Sequence, residues 1–429
     1  MRITNIDAFS ILDSRGNPTL KVKVLLDDGS LGSFEVPSGA STGVHEALEL
    51  RDCDKSLFGG KSVYKAIDNV LKIRDELIGF DFTQESFDNK LLELDGTENK
   101  SVLGANAILG LSCAFARACA LYYELPLYEY LHRLVNKIDF LRKKDFSMHN
   151  VHLFANVING GMHSGNLLKI QEFMIVPVFD DVNRRIRAIS EIYQMLKTLI
   201  EEKYGKNSTA VGDEGGFAPD ISKAESALDL LVDAINKSNY KDQVYLAMDA
   251  AASDFYNNET LKYEVEQDMF LDYKELSDYY NKLVQKYPII SIEDPFAEDD
   301  FEGFAYYMKN KAKLNIKNPL NDEKKELLIV GDDLLVTNPK RIKTAIDKKM
   351  CNSLLLKINQ IGTLTESIKA YDMAVSKKWH VIVSHRSGET TDSFISDLCV
   401  AMQSSIKIGA PCRGERTAKY NRLLEIYRK

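Results

Sequence analysis

The second half of the chain is marked by short apolar runs that each end in a charged side chain. Val244-Tyr245-Leu246-Ala247-Met248 leads into Asp249, and Tyr287-Pro288-Ile289-Ile290-Ser291-Ile292 into Glu293. Leu327-Leu328-Ile329-Val330-Gly331 leads into Asp332, Asn352-Ser353-Leu354-Leu355-Leu356 into Lys357, and His380-Val381-Ile382-Val383-Ser384 into His385 and Arg386. Continuous apolar runs of this length read as strands buried on both faces. After Glu293 and Asp294, Pro295 stops the ladder. Successive run ends lie roughly 25 to 45 positions apart, enough for a helix and its loops. That rhythm predicts a (β/α) barrel whose polar strand ends gather at the C-terminal mouth.

The first half has a different pattern. Residues 1 to about 36 alternate apolar and polar positions, as in Leu20-Lys21-Val22-Lys23-Val24, with a turn at Asp27-Asp28-Gly29-Ser30. This predicts an antiparallel meander. Helical periodicity follows from Ser62 to Leu94 and from Val102 to Leu131, with Thr83 placed to cap a helix. The apolar stretch Val102 to Tyr123 contains Asn106, Arg117 and many small residues, which favours a buried helix over a membrane span. Asp139 to Asn150 is charged and aperiodic, and the boundary falls there. The expected domains are an α+β unit over 1–138 and a barrel over 151–429.

Two strands open the barrel, Val151 to Ile158 and Phe173 to Pro177, and in the second the acid Glu172 precedes the apolar run. A strand parallel to the rest would leave Glu172 at the far end of the barrel. A role at the mouth requires it to be antiparallel. Lys309 to Glu326 is rich in Lys and Asn and reads as a solvated surface insertion.

Composition narrows the function classes. The 429 residues are 45% hydrophobic and 28% charged, ordinary for a globular protein. A net charge of −8 carries no nucleic-acid footprint. The six cysteines show no CxxC pair and read as reduced thiols of a cytoplasmic chain. Met1 to Asp7 has no signal-peptide core.

The strand-end acids Asp249, Glu293 and Asp332 would repel one another at one mouth unless a cation neutralised them. Carboxylate oxygens alone suit a hard divalent ion such as Mg²⁺. Two loops are open to two readings each. Ser38-Gly39-Ala40-Ser41-Thr42-Gly43 is a flexible connector or a lid that closes over a ligand. Gly212-Asp213-Glu214-Gly215-Gly216 brings a carboxylate to a ligand or makes a tight turn with solvated acids. In Asp332-Asp333, strand alternation turns one acid to the mouth and the other away.

These segments, together with Ser14-Arg15-Gly16-Asn17-Pro18, Asn159-Gly160-Gly161-Met162-His163, Gln171-Glu172-Phe173-Met174, Lys357-Ile358-Asn359-Gln360 and Ser384-His385-Arg386-Ser387-Gly388-Glu389, resemble the enolase family along nearly the whole chain. The resemblance implies a (β/α)8 barrel of enolase type with an antiparallel start, and dehydration of 2-phosphoglycerate to phosphoenolpyruvate. It places metal ligands at Asp249, Glu293 and Asp332, and puts Ser41 on a second Mg²⁺ for two ions per site. It makes Lys357 the proton-abstracting base, Glu214 the general acid and Glu172 its support. His163, Gln171, His385, Arg386, Ser387 and Lys407 match substrate-contacting positions. Burial near cations is expected to keep Lys357 neutral. Glu214 is expected to hold its proton.

The family usually carries one more residue before the strand bearing Lys407. Placing the deletion in the connection, at Ser404-Ser405, leaves the side-chain phase of Lys407 unchanged. The resemblance further implies homodimers or octamers in the cytoplasm. Two other readings stand beside it: a related enzyme acting on another carboxylate, and a fold-retaining cell-surface protein that binds plasminogen through the terminal Lys429.

Overall fold

The computed structural model describes residues 1–39, 45–140, 151–320 and 324–428, but not the side chain of His163. Ser41 and Lys429 lie outside the described residues, as does part of the Lys309–Glu326 insertion. The N-terminal unit begins with the expected meander: β1 (Ile3–Leu12), β2 (Pro18–Leu26) and β3 (Leu31–Glu35), all antiparallel. The alternation of β2 sends Leu20, Val22 and Val24 inward. Helices α1 (Tyr64–Ile73), α2 (Gln84–Asp95), α3 (Ala105–Tyr122) and α4 (Leu127–Val135) follow. The helical pattern of Ser62–Leu94 thus divides in two, through a 3-10 turn at Arg74–Glu76. Thr83 caps α2 in a reciprocal box with Ser86.

Helix α3 is long and apolar enough to cross a membrane by length and composition, yet it is mostly buried. It lies directly on the meander. A Cβ at Gly32 would come within 2.1 Å of the Ala114 carbonyl oxygen, so only glycine admits this approach.

The barrel follows the expected order. Its strands are β4 (Leu153–Asn159), β5 (Glu172–Pro177) and, after helices α5 (Val182–Tyr204) and α6 (Ala224–Lys237), β6 (Val244–Asp249). A small antiparallel sheet of β7 (Tyr256–Asn257), β8 (Lys262–Glu266) and β9 (Met269–Leu271) interrupts the alternation. Then come α7 (Tyr273–Lys286), β10 (Ile289–Glu293), α8 (Phe301–Asn310), β11 (Leu328–Gly331), α9 (Pro339–Lys348) and β12 (Ser353–Leu356). The chain continues through α10 (Ile358–Ile361), α11 (Leu364–Ser376), β13 (His380–Ser384), α12 (Phe394–Ala401), β14 (Ser405–Lys407) and α13 (Gly414–Ile426).

Eight of these strands close in the order β4, β5, β6, β10, β11, β12, β13, β14 and back to β4. Strand β5 runs antiparallel to both neighbours, whereas the other pairs around the ring are parallel. The reversed strand puts its first residue at the mouth, with Glu172 in register with Asp249. Strand β14 begins one residue before the expected Ile406. Ser405 already pairs with Ile382, and Lys407 pairs with Ser384 and Phe154.

The N-terminal unit is fastened to the barrel near the mouth. Ser38 and Gly388 exchange backbone hydrogen bonds of 2.7 and 2.9 Å. The Arg117 guanidinium grips Asp392 with two bonds of 2.6 Å. Asp88, buried on α2, accepts from both the backbone and the hydroxyl of Thr365 on α11.

Candidate active site

The mouth is a small cleft, with a cavity volume of about 80 Å³, lined by Gln171, Glu172, Glu214, Asp249, Asp332, Lys357, His385, Arg386, Ser387 and Lys407. Most of them reach it for the same reason, since the residue at or just past a strand end is the first that can turn inward over the barrel, whereas Glu214 comes in on its glycine-flanked loop. Asp249 and Glu293 end β6 and β10, Lys407 ends β14, and Asp332 and Lys357 immediately follow β11 and β12.

The acids converge on one ammonium group. Lys407 Nζ lies 3.0 Å from Asp249, 2.9 Å from both oxygens of Glu293 and 3.1 Å from Glu172. All four side chains are buried. Burial and the neighbouring acids hold the Glu172 and Glu293 carboxyls well above the usual carboxylate range, although Lys407 opposes this. For Lys407 burial works against the charge, but the acids outweigh it and hold its pKa high. A cluster that gathers this much negative charge and offers only carboxylate oxygens fits a hard divalent cation by donor chemistry. Asp249, Glu293 and Asp332 are the residues that could hold one.

The described residues also contain a tighter acidic group. Asp294, Asp332 and Asp333 bring oxygens within 4.8 Å of one another. Asp294 has a backbone φ of 38°, and its carboxylate accepts from the backbone N–H of both Asp332 and Asp333. Two backbone donors make it a clamp on the turn after β11. The expectation that only one of Asp332 and Asp333 faces the mouth is corrected, because both line the cleft. Strand β11 ends at Gly331, so the alternation that would separate them has already stopped. Burial and Asp332 raise the Asp333 carboxyl to about 8.

Lys357 donates to Asp332, whose other oxygen accepts 2.9 Å from Gln360. Burial alone would lower the lysine, but Asp332 reverses this and holds it above its ordinary value. This differs from the expected neutral amine. Its neighbouring cations, Arg386 and Lys407, pull downward as foreseen, yet the adjacent carboxylate is stronger.

Glu214 is buried and accepts 2.9 Å from Asn156. His385 Nε2 approaches its other oxygen at 3.5 Å. Burial and Arg416 push His385 down to about 4, against the pull of Glu214, so the ring is neutral. Arg386 pairs with Glu46 and donates 2.9 Å to Asn359. The Ser387 hydroxyl accepts from Arg15 at 3.4 Å.

Sequence reading missed Glu46, Asn156, Asn359 and Gln360, which act on the site through its named residues. Glu46 carried a signal in that it closes the loop opened by Ser38, and Asn359 and Gln360 stand in the motif that begins at Lys357 without a role being assigned to them, whereas Asn156, a polar residue within an apolar run, carried none.

Two family models match the chain: "Enolase, N-terminal domain" over residues 3–131 and "Enolase, C-terminal TIM barrel domain" over 151–429. It is 50% identical to Enolase of Methanocaldococcus jannaschii over 429 residues, covering 99% of this chain and 94% of that protein. It is 49% identical over 439 residues to Enolase 1 of Entamoeba histolytica, covering 99% and 96%. Enolase of Methanococcus aeolicus is 49% identical over 428 residues, covering 99% and 94%.

Proposed function

The chain belongs to the enolase family and is a phosphopyruvate hydratase, a hydro-lyase, and from this premise we propose how the cleft performs the reaction and with which residues. The substrate is 2-phosphoglycerate, bound with its phosphate on Arg386 and Ser387. A planar guanidinium suits two-pronged phosphate recognition. Lys407, with Gln171, His163 and His385, orients the rest of the molecule.

Lys357 removes the proton from C2. A lysine or histidine base working beside Mg²⁺ is the general pattern of the enolase superfamily, so this pairing rests on the family rather than on the distances here. Asp249, Glu293 and Asp332 would hold a divalent ion, Mg²⁺ in this proposal, which would supply positive charge where the substrate carboxylate gains negative charge. A second ion, reached by Ser41, belongs to the same proposal. Were the Asp332 charge engaged by such an ion, burial, Arg386 and Lys407 would be left to favour the neutral amine that Lys357 needs.

Glu214 then gives a proton to the departing C3 hydroxyl, supported by Glu172. Burial and the nearby Glu214 hold the Glu172 carboxyl above the usual carboxylate range, so the two side chains resist carrying full charge together as Glu214 becomes anionic.

The observation that carries this reading is the convergence of Glu172, Asp249 and Glu293 on Lys407, which lines the cleft together with Lys357 and Glu214. Ultraviolet monitoring of enolpyruvate formation from 2-phosphoglycerate, with Mg²⁺ and with a chelator, tests it. Turnover that survives complete chelation would remove the metal from the proposal.

A further inference from the structure

Arg416 lies in the first turn of α13, outside the cleft lining, and its side chain is completely buried. Its Nη1 sits 2.6 Å from His385 Nδ1 and 2.6 Å from the Arg386 carbonyl oxygen. Its Nη2 donates 2.7 Å to the Ser387 carbonyl and 3.2 Å to that of Asp213. One guanidinium therefore joins the loop carrying His385, Arg386 and Ser387 to the loop carrying Glu214.

A guanidinium donates hydrogen bonds and accepts none. The His385 Nδ1 facing it must be bare. Because the ring is neutral, its single proton is then on Nε2, the atom 3.5 Å from Glu214 Oε1. The surroundings leave little freedom for the ring to turn over. Gly409 has a φ of 74°, and a Cβ there would meet Glu214 O at 2.7 Å, His385 Cε1 at 3.2 Å and Arg416 Cδ at 3.2 Å.

We propose that Arg416 is a positioning residue that fixes His385 as the Nε2–H tautomer, so that this histidine presents a donor, and never an acceptor, toward Glu214 and the departing hydroxyl. The inference rests on the reading of Glu214 as the acid. A bare Nε2 would compete for the proton Glu214 must deliver, whereas an Nε2–H orients the carboxyl and stabilises the oxygen that leaves. Lysine in place of Arg416 can reach Nδ1 as a donor but cannot also serve the three carbonyls.

The test is long-range ¹H–¹⁵N correlation on the full chain with ¹⁵N-histidine, the His385 signals being assigned by their loss in His385→Gln. Wild type should show an unprotonated Nδ1 and a protonated Nε2 in the free enzyme. Arg416→Met should mix the tautomers and lower kcat about 10- to 100-fold, the range found when a metal-bound histidine loses the partner that orients it. Arg416→Lys should keep the single tautomer and recover part of that loss. A wild-type proton on Nδ1 overturns the proposal. So does an unchanged tautomer in Arg416→Met, or a changed one with undiminished kcat. Should Arg416→Met fail to fold, the wild-type tautomer and the lysine variant decide it. The tautomer is read without substrate, so an enzyme with the Nε2–H ring that cannot dehydrate 2-phosphoglycerate counts against the mechanism above alone.

Discussion

Both oxygens of Glu46 face the guanidinium of Arg386, at 3.1 and 3.2 Å, in a pair that is almost wholly buried. The fork proposed to take the substrate phosphate is thus already held by a carboxylate from the N-terminal unit. A phosphate must compete with Glu46 or share the guanidinium with it. Glu46→Gln should therefore bind inorganic phosphate several-fold more tightly while losing about 3 kcal/mol of stability, since it leaves a buried cation unpaired. Calorimetric titration and urea denaturation measure the two effects. Unchanged phosphate affinity would mean that Glu46 only braces the domain junction.

Lys407 is the shared counter-charge of three buried acids. Lys407→Ala should reduce kcat at least about 100-fold, the range seen when a preorganised electrostatic group is removed. Without the ammonium the acids repel, so the variant should melt at a lower temperature than wild type in chelator and gain more from added Mg²⁺. Thermal denaturation with and without Mg²⁺ checks this. Equal metal-induced shifts in both proteins would place Lys407 away from the ion.

The two overlapping acidic groups can be separated by substitution. Asp249→Ala, Glu293→Ala and Asp332→Ala should each abolish Mg²⁺ binding measured by calorimetry with a substrate analogue. Asp294→Asn should mainly cost stability, because its oxygens hold two backbone N–H groups. If Asp294→Asn abolishes binding while Asp249→Ala does not, the ion belongs to the tighter cluster.

Proton removal and hydroxide loss should divide between two residues. Lys357→Ala should stop exchange of the substrate C2 hydrogen with solvent deuterium. Glu214→Gln should retain exchange and form little product. Equal loss of exchange in both variants, with metal still bound, contradicts the division.

Asp88 links pH to the domain junction. Burial raises its carboxyl from 3.8 to about 6 despite hydrogen bonds from Thr365, Ser112 and Gln84. A raised acid pKa means that the folded state prefers the proton, so this group's contribution to stability rises as pH falls from about 6 toward 3.8 and is lost above 6. The full difference is on the order of 3 kcal/mol. Asp88→Asn removes the titration, so its stability relative to wild type should decline by about that amount between pH 7 and pH 4. Denaturation midpoints that stay parallel across this range would show that Asp88 does not titrate there.

Much of this architecture was legible because strands buried on both faces leave long apolar runs, and because a charge at the end of such a run has few other places to go. Glu293, Asp249 and Lys357 are of this kind. The reversal of β5 was not legible from periodicity, since a two-sided strand reads the same in either direction; only the position of Glu172 posed the question, and the family resemblance answered it. Local signals succeeded where they depend on local chemistry, as with Thr83. They failed at Asp333, where a turn replaced the strand alternation. Glu46 and Arg416 act across distant parts of the chain, and spacing along a sequence cannot report such meetings.

The ring of strands closes where β14 meets β4, and Lys407 comes into place in the same step. In the order of synthesis, every acid of the mouth leaves the ribosome before this lysine does. A nascent chain that has made Asp332 but not Lys407 lacks both the strand that closes the ring and the ammonium shared by Glu172, Asp249 and Glu293. Ring closure and the placement of Lys407 are thus one structural requirement, and a chain stopped before residue 405 would lack both.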